Sequence, residues 1–140
     1  MQSSLPVPPV ALPRLRGFLS PYAWGVLGFN LLVVVWGAYV RATGSGAGCG
    51  DHWPTCNGAV VPASPAVQTL IEFTHRASTG LLTALVAGLV LLAWRSRPRG
   101  DPTRTFSALA ALFLVTEALL GAGLVLFGLV ADNATPERAV

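Results

Sequence analysis

Three long apolar runs separated by short polar stretches set the pattern of this 140-residue chain. Tyr22 to Val40 contains no charge, and Asn30 is its only strongly polar side chain. Ala77 to Trp94 is again uncharged, preceded by a less apolar turn from Val67 to Arg76. Phe106 to Val130 is interrupted by one acid, Glu117. A helix needs about 20 apolar residues to cross the hydrocarbon core of a bilayer. These runs are too long for soluble strands and lack the polar face of a soluble amphipathic helix. The pattern predicts an all-α, polytopic transmembrane bundle with three spans. The expected boundaries are an N-terminal segment over 1–20, spans over 21–40, 69–94 and 106–130, an outer loop over 41–68, a basic turn over 95–105 and an outer tail over 131–140. The first run exceeds the apolar region of a signal peptide and is not closed by a clear small-residue cleavage site, so it reads as a retained helix.

Composition supports the same class. Hydrophobic residues make up 53% of the chain and charged residues 11%, against roughly a quarter charged in an ordinary soluble domain. The formal charge of +3 comes from arginine alone, since there is no lysine. The arginines flank the apolar runs rather than forming a patch, so they speak for membrane topology and lipid contact, with no nucleic acid implied. Arg14 and Arg16 precede the first run, and Arg95, Arg97, Arg99 and Arg104 follow the second. The long loop has only Arg41 near its start, with Arg76 at the next helix entrance. The positive-inside rule then places the N-terminus and the basic turn in the cytoplasm, and the long loop and C-terminus outside, in a multi-pass protein of a bacterial plasma membrane. A disulfide can persist on that outer, oxidising side.

Three groups of residues could carry chemistry. Cys49-Gly-Asp-His-Trp-Pro-Thr-Cys56 holds the only two cysteines, with six residues between them. Trp53-Pro54 can turn the chain between them, so a disulfide is sterically reasonable. It would serve as a staple for an exposed loop, or exchange with a partner thiol if accessible. Metal binding with His52 and Asp51 is the third reading, although the spacing matches no common zinc pattern. In Ile71-Glu72-Phe73-Thr74-His75-Arg76, a helix would place Glu72, His75 and Arg76 on one side near the membrane surface. Arg76 could simply snorkel and pair with Glu72. Alternatively, an imidazole projecting into a bundle is the usual protein ligand of haem iron, and a nearby carboxylate can handle protons. Glu117 falls about halfway along the third run, where an acid is expensive and should face protein. It either hydrogen-bonds a neighbouring helix in neutral form or handles protons. Gly44-Ser45-Gly46-Ala47-Gly48 follows a membrane helix and lacks phosphate-loop spacing.

These motifs together have a family likeness. Arg41-Ala-Thr-Gly-Ser-Gly-Ala-Gly-Cys49, then Asp51-His-Trp-Pro-Thr-Cys56-Asn-Gly, then Ile71-Glu72-Phe-Thr-His75-Arg76 resemble the first helix, first outer loop and second helix of the haem A synthase family. The family pattern runs Arg-x-Thr-Gly-Ser-Gly, Cys, Asp-Trp-Pro, Cys-x-Gly, then Glu-x-x-His-Arg. Glu117-Ala-Leu-Leu-Gly121 through Gly128 looks like the family's third helix, which often carries glutamine where Glu117 stands. His52 is an insertion in the Asp-Trp-Pro string.

The resemblance implies oxidation of a methyl group of haem O to formyl, giving haem A for terminal oxidases. It implies a protein of two similar four-helix halves, the first receiving haem O and the second holding haem b. His75 would be an axial ligand of haem iron and Glu72 the essential nearby acid. Cys49 and Cys56 would form the outer-loop disulfide, and Arg41, Arg76 and Glu117 would support the site. Haem O synthase is the implied partner, with a thiol–disulfide or electron-donor protein alongside and room for a homo-oligomer. The family's fourth helix, with the opposing histidine, has no counterpart before Val140, so truncation or helices supplied by another subunit is expected. The alternatives are a membrane thiol–disulfide exchange protein using Cys49 and Cys56, and a non-catalytic oxidase-assembly subunit.

Overall fold

A computed structural model describes residues 13–63 and 65–129. The expectations for residues 1–12 of the N-terminal segment and for the outer tail over 131–140 lie outside the described residues. Three helices form the fold: α1 over Pro13–Ala42, α2 over Val67–Ser96 and α3 over Pro102–Leu126. One short 3-10 turn, Ser45–Ala47, lies in the loop between α1 and α2. Among the described residues there is no strand, only an isolated antiparallel bridge between Cys56 and Ala59.

The helices begin and end for local reasons. Proline has a backbone angle suited to a first helical turn, where its missing donor costs nothing. Pro102 opens α3 in this way. Asp101 caps α3, its Oδ1 accepting from the Thr103 N–H at 2.8 Å, which satisfies one of the otherwise orphaned donors of the first turn. Gly100, with φ of 89°, makes the sharp reversal between α2 and α3. Within the described residues, α1 extends outward beyond the uncharged run to Pro13.

All three helices are long and apolar enough to cross a membrane, with mean hydropathies of 1.7, 1.9 and 2.2. Only 17% of each apolar window is buried within the chain. Trp24, Leu32, Val35, Leu120 and Phe113 are all well exposed. In water that surface would far exceed any tolerable apolar patch; in a bilayer it is the expected lipid-facing surface. The protein is an all-α membrane bundle.

α2 is the middle helix, with α1 and α3 packed on it rather than on each other. The Tyr22 hydroxyl donates to the Leu85 carbonyl at 2.9 Å, and Trp36 Nε1 donates to Thr74 Oγ1 at 3.2 Å. The start of α1 thus meets the second half of α2, and its end meets the start of α2, so the two are antiparallel. Val26 and Val33 of α1, Leu82 and Val86 of α2 and Leu114 of α3 form the shared core. This arrangement leaves a groove between α1 and α3, floored by α2 and roofed by the loop.

Candidate functional site

The loop is tied to α2 by a buried polar cluster. Cys49 and Cys56 form a disulfide, and both are fully buried at 0% and 2% exposure. Thiol exchange requires an attacking thiolate to reach a sulfur, so this burial favours the staple over the exchange relay. The thiols are spent on each other and offer no thiolate to a metal. Around the disulfide, the Asn57 N–H donates to the Cys49 carbonyl at 3.0 Å, and Cys56 and Ala59 exchange both backbone hydrogen bonds. The peptide bond Trp53–Pro54 is cis.

Glu72 is the centre of the anchor. Its Oε2 accepts from the Cys49 N–H at 2.7 Å. Its Oε1 accepts from Arg76 Nε at 3.0 Å and also from Arg76 Nη2. The other arm of Arg76, Nη1, donates to the His52 carbonyl and to the Thr55 carbonyl, the latter at 2.7 Å. One guanidinium therefore joins a helix carboxylate to two loop carbonyls. The side chains are only 13% and 4% exposed for Arg76 and Glu72, so this is a buried ion pair with its hydrogen bonds filled rather than a loose surface pair. The pairing expected from the i, i+4 spacing is present, but its larger role is to hold the loop. Both oxygens of Glu72 are engaged by this chain itself.

Gly48 lets the loop come that close. A Cβ there would lie 2.5 Å from the Gln68 carbonyl oxygen and 2.7 Å from the Thr69 nitrogen, both backbone atoms. The Gly48 carbonyl in turn accepts from Thr69 Oγ1 at 2.8 Å. Gly48→Ala is therefore expected to lift the loop off α2 and to cost about 3 kcal/mol, the upper part of the range for overpacking. Protease susceptibility between residues 50 and 62 in detergent should rise several-fold. Wild-type resistance would show that the loop relaxes around a methyl group.

His75 turns the other way, towards α1. Its imidazole lies over Gly37, where a Cβ would come within 2.9 Å of Cε1 and 3.1 Å of Nε2. Its Nδ1 is buried and has no hydrogen-bond partner among the described residues. An unsatisfied buried ring nitrogen calls for an explanation. The histidine borders the groove, a cavity of about 610 Å³, within the usual range for small-molecule and cofactor sites. Asn30 and Gly37 of α1, Thr79 and Thr83 of α2, and Glu117 and Gly121 of α3 also border it. Arg41 and Trp53 stand at the loop end.

The structure thus brings together Arg41, Glu72, His75, Arg76 and Glu117 around one groove, with Cys49 and Cys56 behind its roof. His52 contributes its carbonyl, while its side chain is exposed. Glu117 lines the open groove and is exposed within this chain. Sequence reasoning passed over Gly37, Gly48 and Asn30. A signal did exist for two of them: Asn30, Val33, Gly37, Val40 and Arg41 fall on one helical stripe that ends at the loop.

Comparison with known proteins accords with this arrangement. Residues 20–69 and 65–139 match the family described as cytochrome oxidase assembly protein, COX15-CtaA. A protohaem IX farnesyltransferase of Thermus thermophilus is 62% identical over 122 residues, which cover 87% of this chain and 20% of that protein. A haem A synthase of Halalkalibacterium halodurans is 46% identical over 98 residues, covering 70% of this chain and 33% of that enzyme. A haem A synthase of Bacillus cereus is 43% identical over 98 residues, covering 70% of this chain and 32% of that enzyme. The chain spans between a fifth and a third of the length of these relatives. No solved structure matches it. The family match runs through the loop, all three helices and the residues that line the groove, and the chain belongs to the cytochrome oxidase assembly protein family.

Proposed function

We propose that this chain is the haem O-facing part of a haem A synthase and acts in haem A biosynthesis, in the plasma membrane of a bacterium. The observation that carries this reading is His75: an imidazole that borders an interhelical cavity of cofactor size, with its Nδ1 buried and without a partner among the described residues. The residues fit a haem. His75 would hold the iron through its imidazole, Gly37 makes room for its ring, and the walls from Val33, Leu82, Leu114 and Leu124 are apolar. Haem O, when bound, brings the iron and the methyl group that the whole enzyme oxidises to formyl. Haem b would belong to the other half of such an enzyme.

The chain's own residues bind and orient. Engagement of both Glu72 oxygens supports a positioning role in place of the proton-handling one expected from its spacing to His75. Glu72 and Arg76 hold the loop as a roof, and the buried Cys49–Cys56 disulfide stiffens it. Arg41 at the loop end can meet a haem carboxylate by charge. Glu117 offers a polar group from α3 to the same groove. Haem O synthase is the partner that supplies substrate, and a haem-modifying name on the Thermus relative supports that pairing. The arginine distribution supports an outer loop facing away from the cytoplasm.

Producing the chain together with haem O synthase tests the reading. The detergent-purified protein should show a haem absorption band, and chromatography of the extracted pigment should identify haem O. A chain that carries no haem O in a host making it would overturn the proposal. Glu117 has its own test in a whole enzyme bearing this segment. Glu117→Gln should keep the haem A yield within about twofold and Glu117→Leu should lower it about tenfold, the difference of roughly 1.4 kcal/mol that one hydrogen bond supplies. Loss of product in Glu117→Gln would instead make its proton essential.

A further inference from the structure

The arginines at the far end of the bundle are not used by the haem groove, and the fold gathers them. The start of α1, the end of α2 and the start of α3 share that end. Arg95, Arg97, Arg99 and Arg104 stand there, with Asp101 the only acid among the described residues at that end. Asp101 is already engaged as the cap of α3. The Arg104 guanidinium lies 5.3 Å from the Trp94 ring centroid, within cation–π range. That contact holds Arg104 at the edge of a cleft of about 530 Å³ between α2 and α3.

The cleft changes character along its length. Arg99, Arg104 and Trp94 line its outer end together with Asp101, so two arginines face one acid there; Ala108, Leu109 and Leu112 line the part that enters the apolar span. Residues 105, 108, 109 and 112 follow helical i, i+3, i+4, i+7 spacing, so this is one stripe of α3 that begins beside charge and continues apolar. Leu109 and Leu112 are 40% and 59% exposed within the chain. A free phosphate would use only the charged end, and an uncharged lipid only the apolar one.

We propose that this cleft binds an anionic glycerophospholipid. Its phosphate and headgroup sit against Arg99 and Arg104, its glycerol region lies level with Trp94, and one acyl chain runs along Ala108, Leu109 and Leu112. Charge complementarity selects the occupant, since basic pockets between membrane helices favour anionic headgroups. The site is independent of the haem reading and stands or falls separately from it.

Native mass spectrometry of the detergent-solubilised full chain, offered equal amounts of phosphatidylglycerol and phosphatidylcholine with identical acyl chains, tests the proposal. The wild type should retain phosphatidylglycerol roughly tenfold over phosphatidylcholine, on the order of what two arginines contribute at an anionic surface. The Arg99→Gln/Arg104→Gln double variant should bring the ratio towards parity, while Arg104→Lys, which keeps the charge, should preserve the preference. If the double variant does not fold, Arg99→Gln alone carries the readout, with a smaller expected fall in the ratio. Equal retention of both lipids by the wild type, or an undiminished preference in the charge-removing variants, would overturn it. Displacement of phosphatidylglycerol by millimolar inorganic phosphate would overturn it too, by making the site a simple anion site.

Discussion

Replacing His75 by alanine is expected to empty the chain of haem while leaving its helices intact. The imidazole borders the groove and lies against Gly37, with Nδ1 buried and unpartnered. Removing the ring would delete the proposed iron ligand and lose no hydrogen bond from the imidazole to the described residues. Helix content by circular dichroism should therefore match the wild type, and the haem band of the purified protein should fall by at least tenfold. Gly37→Ala provides a graded companion. Its new methyl would press on Cε1 at 2.9 Å, the movable end of a side chain, so the ring should tilt and the absorption maximum should shift without vanishing. Full haem content and an unchanged spectrum in His75→Ala would place the iron ligand elsewhere.

Arg76→Ala carries the largest expected cost to stability. It removes both links to Glu72 and both links to the loop carbonyls of His52 and Thr55. Glu72 is left buried at 3% exposure, with the Cys49 N–H as its remaining donor. Breaking a buried pair from one side costs about 3–5 kcal/mol, because the surviving charge stays desolvated. Thermal melting in detergent should reveal the loss, and the loop should become open to protease. The Glu72→Ala/Arg76→Ala double variant should be less damaged than the sum of the two singles, since no unpaired charge remains buried. A cost below about 1 kcal/mol for Arg76→Ala would reduce the pair to an ordinary surface salt bridge.

The two readings of Glu72 differ in their consequences. Glu72 borders the groove, so as a proton-handling acid it would have to release one of its present hydrogen bonds, whereas as the loop's anchor it needs both oxygens where they are. The roof over the groove depends on that anchor, so substitutions at Glu72 should alter haem placement and activity through the loop.

Much of this protein was legible along the chain. Spans were readable because a bilayer demands about 20 apolar residues in a row, a local and one-dimensional requirement. The Glu72–Arg76 pair was readable because helical spacing alone brings i and i+4 together. The family likeness rested on motifs contiguous in sequence, and the family match confirmed it.

Contacts between distant segments were decided only by the tertiary structure. That Arg76 also grips the carbonyls of His52 and Thr55, and that Glu72 takes the Cys49 N–H, depends on how the loop folds back over α2. Spacing along one helix holds no information about that return path. Gly48 looked like one more residue of a glycine-rich loop until the backbone of Gln68 and Thr69 was found against it. Gly37 became part of the His75 environment only when α1 crossed α2 at that level. The separation of duties between neighbours, Glu72 towards the roof and His75 into the groove, is likewise a matter of packing: residues three apart share a helix side, and which of them meets the loop or the next helix is set by where those partners lie.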